Sequence, residues 1–344
     1  MRLIDRTVSA TKGWVNLQRG KRRALLALKQ VEATRGKTPT RLVRRCREYA
    51  REALGWVGYA PWLCVYAAIR NEFFEGWMPS NYYATEVVPA IKGRHGRLSD
   101  FKTLSGQFFS DALPDVGYSL NGLLLDRHYH PIDRGILQES AFGHRGRVVF
   151  KLDHSNKGAG VSILDRSAFA ALNLDQADGV FQSYIEQSPF LEAISPGSVA
   201  TLRLTTVREL DGSIGLRAAY LRAGRTHEDI VKSASNIRVA VDIRTGSLSS
   251  QAYLPNWSEI HAHPDTGFVF SGEVIPEFSL CSDLVMGLHT RVPHIGCIGW
   301  DLALDHRHRP WLMEWNGWVN DIKFSEAVDG PCFLGLGWER FAKT

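Results

Sequence analysis

Two carboxylates and an amide sit at hairpin spacing near the end of this 344-residue chain. In the run from Ile298 to Asn316, two apolar stretches flank the polar connection Asp305-His306-Arg307-His308-Arg309, the pattern of a β-hairpin. With the turn centred between Arg307 and His308, Asp301 falls opposite Glu314. Asn316, two residues on, shares their face. Opposed carboxylates repel across a sheet, and burying them unpaired is costly. They must point into water or hold a cation. Asp, Glu and the Asn carbonyl are oxygen ligands for a hard divalent ion. Mg²⁺ commonly takes one or two carboxylates and lets phosphates complete its shell. Pairing geometry alone leaves a solvated hairpin edge open as the alternative.

Two upstream segments have residue types suited to a phosphate and a base. Arg147–Leu152 reads as a strand carrying Lys151, a point charge suited to phosphate. It runs into a small loop holding Gly158, Ala159 and Gly160, the kind of loop that brings backbone N–H groups to an anion. The spacing is not that of a Walker loop, and a plain hairpin loop explains it equally well. Val180–Glu186 reads as an apolar strand with a terminal acid. Such a strand can bond an adenine edge through its backbone and ribose hydroxyls through the carboxylate. Other chemistry is poorly supported. The pairs His128/His130, His261/His263 and His306/His308 lie in polar connections without Cys at finger spacing, which argues against zinc. No G-x-S-x-G nucleophile elbow is present.

The elements that must position these residues divide the chain in two. Residues 1–95 read as helices, with Arg41–Leu54 capped by Thr40 or Thr38. Within them, residues 1–51 carry 15 Lys/Arg and three acids, a net charge of +12, which leaves −7 for the rest. This basic arm is read as solvated helix that could touch an anionic membrane surface, and nucleic acid is not favoured. The uncharged run Ala53–Ile69 is 17 residues long and broken by Gly55, Gly58 and Pro61. It is shorter than the ~20 residues of a membrane span and predicts buried helices around a turn. Five cysteines without C-x-x-C spacing predict reduced thiols and a cytoplasmic protein, and the N-terminus lacks the apolar core of a secretory signal. A polar break at Lys92–Arg97 marks a boundary, after which Ser99 opens a helix across Phe101, Leu104, Phe108 and Phe109. Beyond about residue 120, short β-branched and aromatic runs separated by turns such as Asp211-Gly212 predict an α+β organisation, strand-rich in its second half.

The order of these parts is more specific than any one of them. A strand lysine, a glycine loop, a hinge strand, then Asp301, Glu314 and Asn316 together resemble the ATP-grasp superfamily. Within it the chain is most similar to the sugar-transfer associated group. The strings Val199–Thr205, Tyr220–Gly224, His263–Gly267, Ile298–Asp301 and Met313–Asn316 carry that resemblance, and the aromatic segment around Gly76, Pro79 and Tyr82 is similar to the group's helical extension. The resemblance implies an ATP-grasp fold, two α+β subdomains clamping ATP over residues 96–185 and 186–340, behind a helical extension over 1–95. It implies that Lys151, and Lys102 before it, bind phosphates, and that the Gly158–Gly160 loop closes over the γ-phosphate. Gln182, Ser183, Tyr184 and Ile185 would line the adenine, with Glu186 near the ribose. Asp301, Glu314 and Asn316 would bind Mg²⁺, with Mn²⁺ as a substitute. The implied activity is a ligase that activates a small-molecule carboxylate as an acyl phosphate and passes it to a nucleophile, in polysaccharide or amino-acid conjugate biosynthesis. A phosphotransferase on a hydroxyl, or a non-catalytic nucleotide binder, would share the same residues, and a homodimer is compatible with either. One position departs: many such ligases carry Arg two residues before the metal Asp, where this chain has Gly299. Arg203 or Arg222 is expected to replace it from neighbouring strands.

Overall fold

The computed structural model describes residues 2–143, 146–155, 160–174, 177–232 and 234–342, with side chains from Leu17 onward. The helical reading of the first 95 residues holds. α1 (Arg2–Arg35), α2 (Thr40–Glu52) and α3 (Ala60–Arg70) are followed by α4 (Ser80–Tyr82), a π-helical turn over Tyr83–Val87, and α5 (Val88–Lys92). α2 begins at Thr40, but Pro39 precedes it in extended conformation and no side chain caps it. Pro89 offers no N–H to the carbonyl four residues back, and the turn ahead of it widens into the π-helix. The uncharged run contributes α3, in which Trp62, Leu63, Val65 and Tyr66 are buried. Among the described residues no helix is long and apolar enough to cross a membrane.

The single helix expected from Ser99 is broken. It becomes 3-10 turns over His95–Asp100 and Lys102–Leu104, then α6 (Gly106–Phe109). The cause is a side chain from elsewhere. The Asp153 carboxylate takes both the Thr103 amide (2.9 Å) and its hydroxyl (2.6 Å), groups a continuous helix would have left facing its own turn.

Two antiparallel sheets follow. The smaller contains β1 (Asp115–Leu120), β2 (Leu123–Asp126), β3 (Val148–Leu152), β4 (Val161–Leu164) and β5 (Gly179–Ser183), in the order β2-β1-β5-β3-β4. The larger contains β6 (Thr201–Arg208), β7 (Ile214–Ala223), β8 (Ile237–Val241), β9 (Leu248–Tyr253), β10 (Glu259–Ile260), β11 (Cys297–Leu304) and β12 (Pro310–Asn316), in the order β10-β9-β8-β7-β6-β11-β12. The strand-rich second half is thus as predicted, although β1, β2, β4, β9 and β10 lie where no strand is expected from the sequence.

Each sheet has one apolar and one polar face, because side chains alternate along a strand. On the small sheet Val148, Phe150 and Phe181 pack beneath Leu137 and Phe142 of α7 (Arg134–Phe142) and Phe169 of α8 (Arg166–Ala171). The opposite face carries Asp115, Lys151, Val180 and Gln182. After β5 the chain crosses to the large sheet, where the Ser188 amide donates to Leu304 ahead of α9 (Pro189–Ile194). There Leu202, Leu204, Leu221, Trp300 and Leu302 pack against Val285 and Leu288 of α10 (Phe278–Thr290). The other face carries Arg203, Tyr220, Arg222 and Asp301. The helical extension shares a core with this second face. Tyr220, Tyr253 and Cys297 cluster with Tyr82, Tyr83 and with Phe324 of α11 (Lys323–Val328). Fully buried Glu326 ties α11 to the extension by accepting from the Met78 amide (2.5 Å), and to the segment after α11 by accepting from the Cys332 amide (2.8 Å).

Candidate functional site

The β11–β12 hairpin places Asp301 opposite Glu314 and Gly299 opposite Asn316, so the three proposed oxygen donors share a face. The turn is not where the sequence puts it. The Asp305 amide donates to Arg309 (3.0 Å), and the Asp305 carboxylate accepts from the amides of Arg307 (2.9 Å) and Arg309 (3.0 Å). The loop is therefore centred on Arg307, with His308 left-handed at φ 61°. Continued regularly, that turn would set Asp301 opposite Met313. A bulge between Asp301 and Leu302 restores the Glu314 pairing and leaves Met313 as the extra residue. The bulged Met313 carbonyl accepts a hydrogen bond from Lys151 Nζ at 2.9 Å, a direct tie from the small sheet to the large.

Asp301 is buried at 2% exposure, yet its counter-charge comes from the protein. Arg203 bonds it in bidentate fashion, Nε to Oδ1 at 2.6 Å and Nη2 to Oδ2 at 2.8 Å, and Arg222 Nη2 reaches Oδ1 at 2.8 Å. Burial pushes the carboxyl up, but Arg203 and then Arg222 outweigh it and hold it below the usual carboxylate range. The choice between water and a cation for two opposed carboxylates is thus settled differently for Asp301, by two guanidinium groups from β6 and β7. Arg203 also occupies the space above Gly299. A Cβ at that position would lie 2.9 Å from Asn320 Cβ and 3.4 Å from Arg203 Cδ.

Lys102, Asp115, Lys151, Gln182, Met313 and Glu314 line one cleft between the sheets. Its volume is about 10 Å³, the room of about one water. Burial lowers the Lys151 ammonium, against the pull of Glu314 and Asp115. Lys102 Nζ donates to the Ser155 carbonyl (2.9 Å) and hydroxyl (3.3 Å), at the base of the loop after β3. Gly158 and Ala159 lie outside the described residues. Gly160 closes that loop: its carbonyl accepts from Leu152, and a Cβ there would lie 2.3 Å from Ser155 Cβ. Asn316 Nδ2 lies 3.4 Å from Asp301 Oδ2. Tyr184, Ile185 and Glu186 follow the end of β5 at Ser183, earlier than expected. Ile185 is buried, Glu186 is exposed, and Arg147 stacks over Tyr184 at 4.5 Å.

Two groups escape the sequence reading. Asp115, at 5% exposure, accepts from Gln182 Nε2 (2.7 Å) and Tyr118 Oη (3.0 Å), and burial pushes its carboxyl up to about 6. Its strand has no clear sequence signal, because Pro114 and Gly117 obscure the alternation that would flag an inward acid. Lys92, from the extension, is 1% exposed and donates to the Trp318 carbonyl (2.6 Å) and to Asn320 Oδ1 (2.9 Å), beside Gly299. Burial brings its ammonium down to about 8.

The donor set of Asp301, Glu314 and Asn316 is all oxygen, as a hard cation requires, with Asp301 shared with the two arginines. A family model described as sugar-transfer associated ATP-grasp matches residues 143–336. No curated protein matches the sequence. Among solved structures, biotin carboxylase from Campylobacter jejuni, in a β-γ-ATP complex, is similar at 13% identity and a TM-score of 0.45, over 93% of this chain and 68% of that one. The biotin carboxylase domain of Hydrogenobacter thermophilus 2-oxoglutarate carboxylase, with MgADP, ADP and bicarbonate, is similar at 13% identity and a TM-score of 0.42, over 71% of this chain and 45% of that one. N5-carboxyaminoimidazole ribonucleotide synthetase from Thermotoga maritima follows at 10% and 0.36, over 69% and 43%. The chain spans less than half the length of the last two.

Proposed function

The chain belongs to the sugar-transfer associated ATP-grasp family, and we propose that it is a Mg-ATP-dependent ligase joining a small-molecule carboxylate to a nucleophile through an acyl phosphate. The observation that carries this reading is the meeting of two charge systems built around buried Lys151 and buried Asp301. Lys102 and Lys151 face Glu314 across the cleft, and Arg203 and Arg222 converge on Asp301 one strand away.

In this reading Lys151 and Lys102 bind the phosphates as point charges. The loop closing at Gly160 excludes water from the γ-phosphate. Gln182, Tyr184 and Ile185 line the adenine and Glu186 meets the ribose. Asp301, Glu314 and Asn316 would hold Mg²⁺, or Mn²⁺ in its place, which when bound would neutralise charge between the phosphates. Two guanidinium groups share one carboxylate on the β6–β7 side, so Arg203 and Arg222 keep positive charge for a substrate carboxylate and for the acyl phosphate made from it. Lys151 must exchange its Met313 carbonyl for phosphate, and the sheets must part, because a cleft the size of one water admits no nucleotide. The extension exposes Arg22, Arg23, Arg44, Arg45 and Arg47, charge suited to an anionic membrane surface.

The test is ADP release in Mg-ATP over a panel of sugar acids and amino acids with amine acceptors, followed by mass analysis of the product. A stable amide-type or ester-type adduct supports the ligase. A phosphorylated hydroxyl and no adduct would make the protein a phosphotransferase, and tight ATP binding without turnover on any panel member would leave it a nucleotide binder.

A further inference from the structure

Gln182 is 2% exposed and lines the cleft, yet its Oε1 has no hydrogen-bond partner among the described residues. Its Nε2 donates to Asp115 Oδ1 at 2.7 Å. A carboxylate has no proton to give, so only the NH₂ end of the amide can face Asp115. The carbonyl end is thereby forced the other way. Asp115 is itself held: Tyr118 Oη donates to its second oxygen at 3.0 Å, and the Tyr118 ring stacks on Tyr129 at 4.5 Å. Tyr129 Oη in turn donates to the Thr103 carbonyl at 2.8 Å. Gln182 is fixed from both sides, because β5 pairs with β1 at Asp115 and with β3 at Val149. A buried acceptor without a donor is costly, and a ligand N–H in the cleft would relieve it.

We propose that Asp115 is a positioning residue that locks the Gln182 amide with its oxygen toward the nucleobase, so that the cleft selects a 6-aminopurine over a 6-oxopurine. This rests on the nucleotide-binding reading above. The exocyclic amine of adenine donates to Oε1. The oxygen at the same place in inosine or guanine would set two acceptors face to face, and the lock denies Gln182 the flip that could accommodate it.

The test compares dissociation constants of ATP and ITP on the full chain in Mg²⁺ by calorimetry, for the wild type, Asp115→Asn and Gln182→Leu. The wild type is expected to prefer ATP by about tenfold or more. Asn at position 115 can turn its own NH₂ to Gln182 and release the flip. Asp115→Asn is therefore expected to bring the ATP:ITP ratio toward one while triphosphate binding persists. Gln182→Leu removes the acceptor and should level the ratio by a different route, which covers the case of an unfolded Asp115→Asn by circular dichroism. Equal wild-type affinities, or an unchanged ratio in folded Asp115→Asn, would overturn the inference alone. Failure of the wild type to bind either nucleotide would bring down the underlying reading and this inference with it.

Discussion

Replacing Asp301 by Asn tests whether arginine or metal balances this carboxylate. The change keeps the shape and one acceptor but removes the charge. Arg203, at 6% exposure, would then be a buried cation bonded only to a neutral amide. Removing one partner of a buried ion pair costs ~3–5 kcal/mol. The lower end is expected here, because the Arg222 side chain is 21% exposed and can turn to water. An unfolding entropy of roughly 2.1 cal/mol/K per residue gives ~0.7 kcal/mol/K for a chain of this length, so ~3 kcal/mol becomes a fall in Tm of ~4 °C. The assay is scanning calorimetry of the metal-free, nucleotide-free protein, with Glu314→Gln as its companion. Glu314 is half-buried and pairs with no arginine among the described residues, so its loss should move Tm by about a degree or less. Both variants should weaken Mg-ATP binding, but only Asp301→Asn should destabilise the free protein. An Asp301→Asn variant melting within a degree of wild type would refute the claim that Arg203 and Arg222 are compensated by this carboxylate.

Other consequences are open to measurement. Lys151→Met should reduce ATP affinity at least about tenfold with a native circular-dichroism spectrum, since one charge-assisted phosphate contact is lost. Gly299→Ala should cost ~1–3 kcal/mol in urea unfolding, because its Cβ would lie 2.9 Å from Asn320 and push on Arg203. It should also slow ADP release more than its stability loss explains. His289 is held down to about 4 by burial, with its ring bonded to Thr206 (2.7 Å) and the Ile295 carbonyl (2.7 Å). Its folded pKa lies below its unfolded value, so the unfolded chain binds the extra proton. Stability is therefore full above about pH 6.5 and falls as pH drops toward 4, by up to ~3 kcal/mol. The pH slope of the urea midpoint should flatten in His289→Gln, and an unchanged slope would remove His289 as its cause.

The hairpin was legible because its information is local. Period-two alternation and a polar turn suffice to set Asp301 beside Glu314, and the prediction survived a misplaced turn because the bulge at Met313 compensated. That bulge has no signature in the sequence, since it arises where an odd loop must meet a fixed register. Lys151 and Gln182 were legible as types on strands in the right order, and Gly299 as a gap. The helix expected from Ser99 failed because Asp153, 50 residues away, took the Thr103 amide.

The sequence by itself determined the local chemistry: three oxygen donors at hairpin spacing, a strand lysine, a glycine-containing loop and a basic helical arm. The tertiary structure alone decided what each charge meets. Arg203 reaches Asp301 across 98 residues, Gln182 reaches Asp115 across 67, and Lys92 reaches Asn320 across 228. Alternation says which side chains share a face of one strand, but strand order is set by long-range packing of the apolar faces. That order, β7-β6-β11-β12, is what places two guanidinium groups against Asp301.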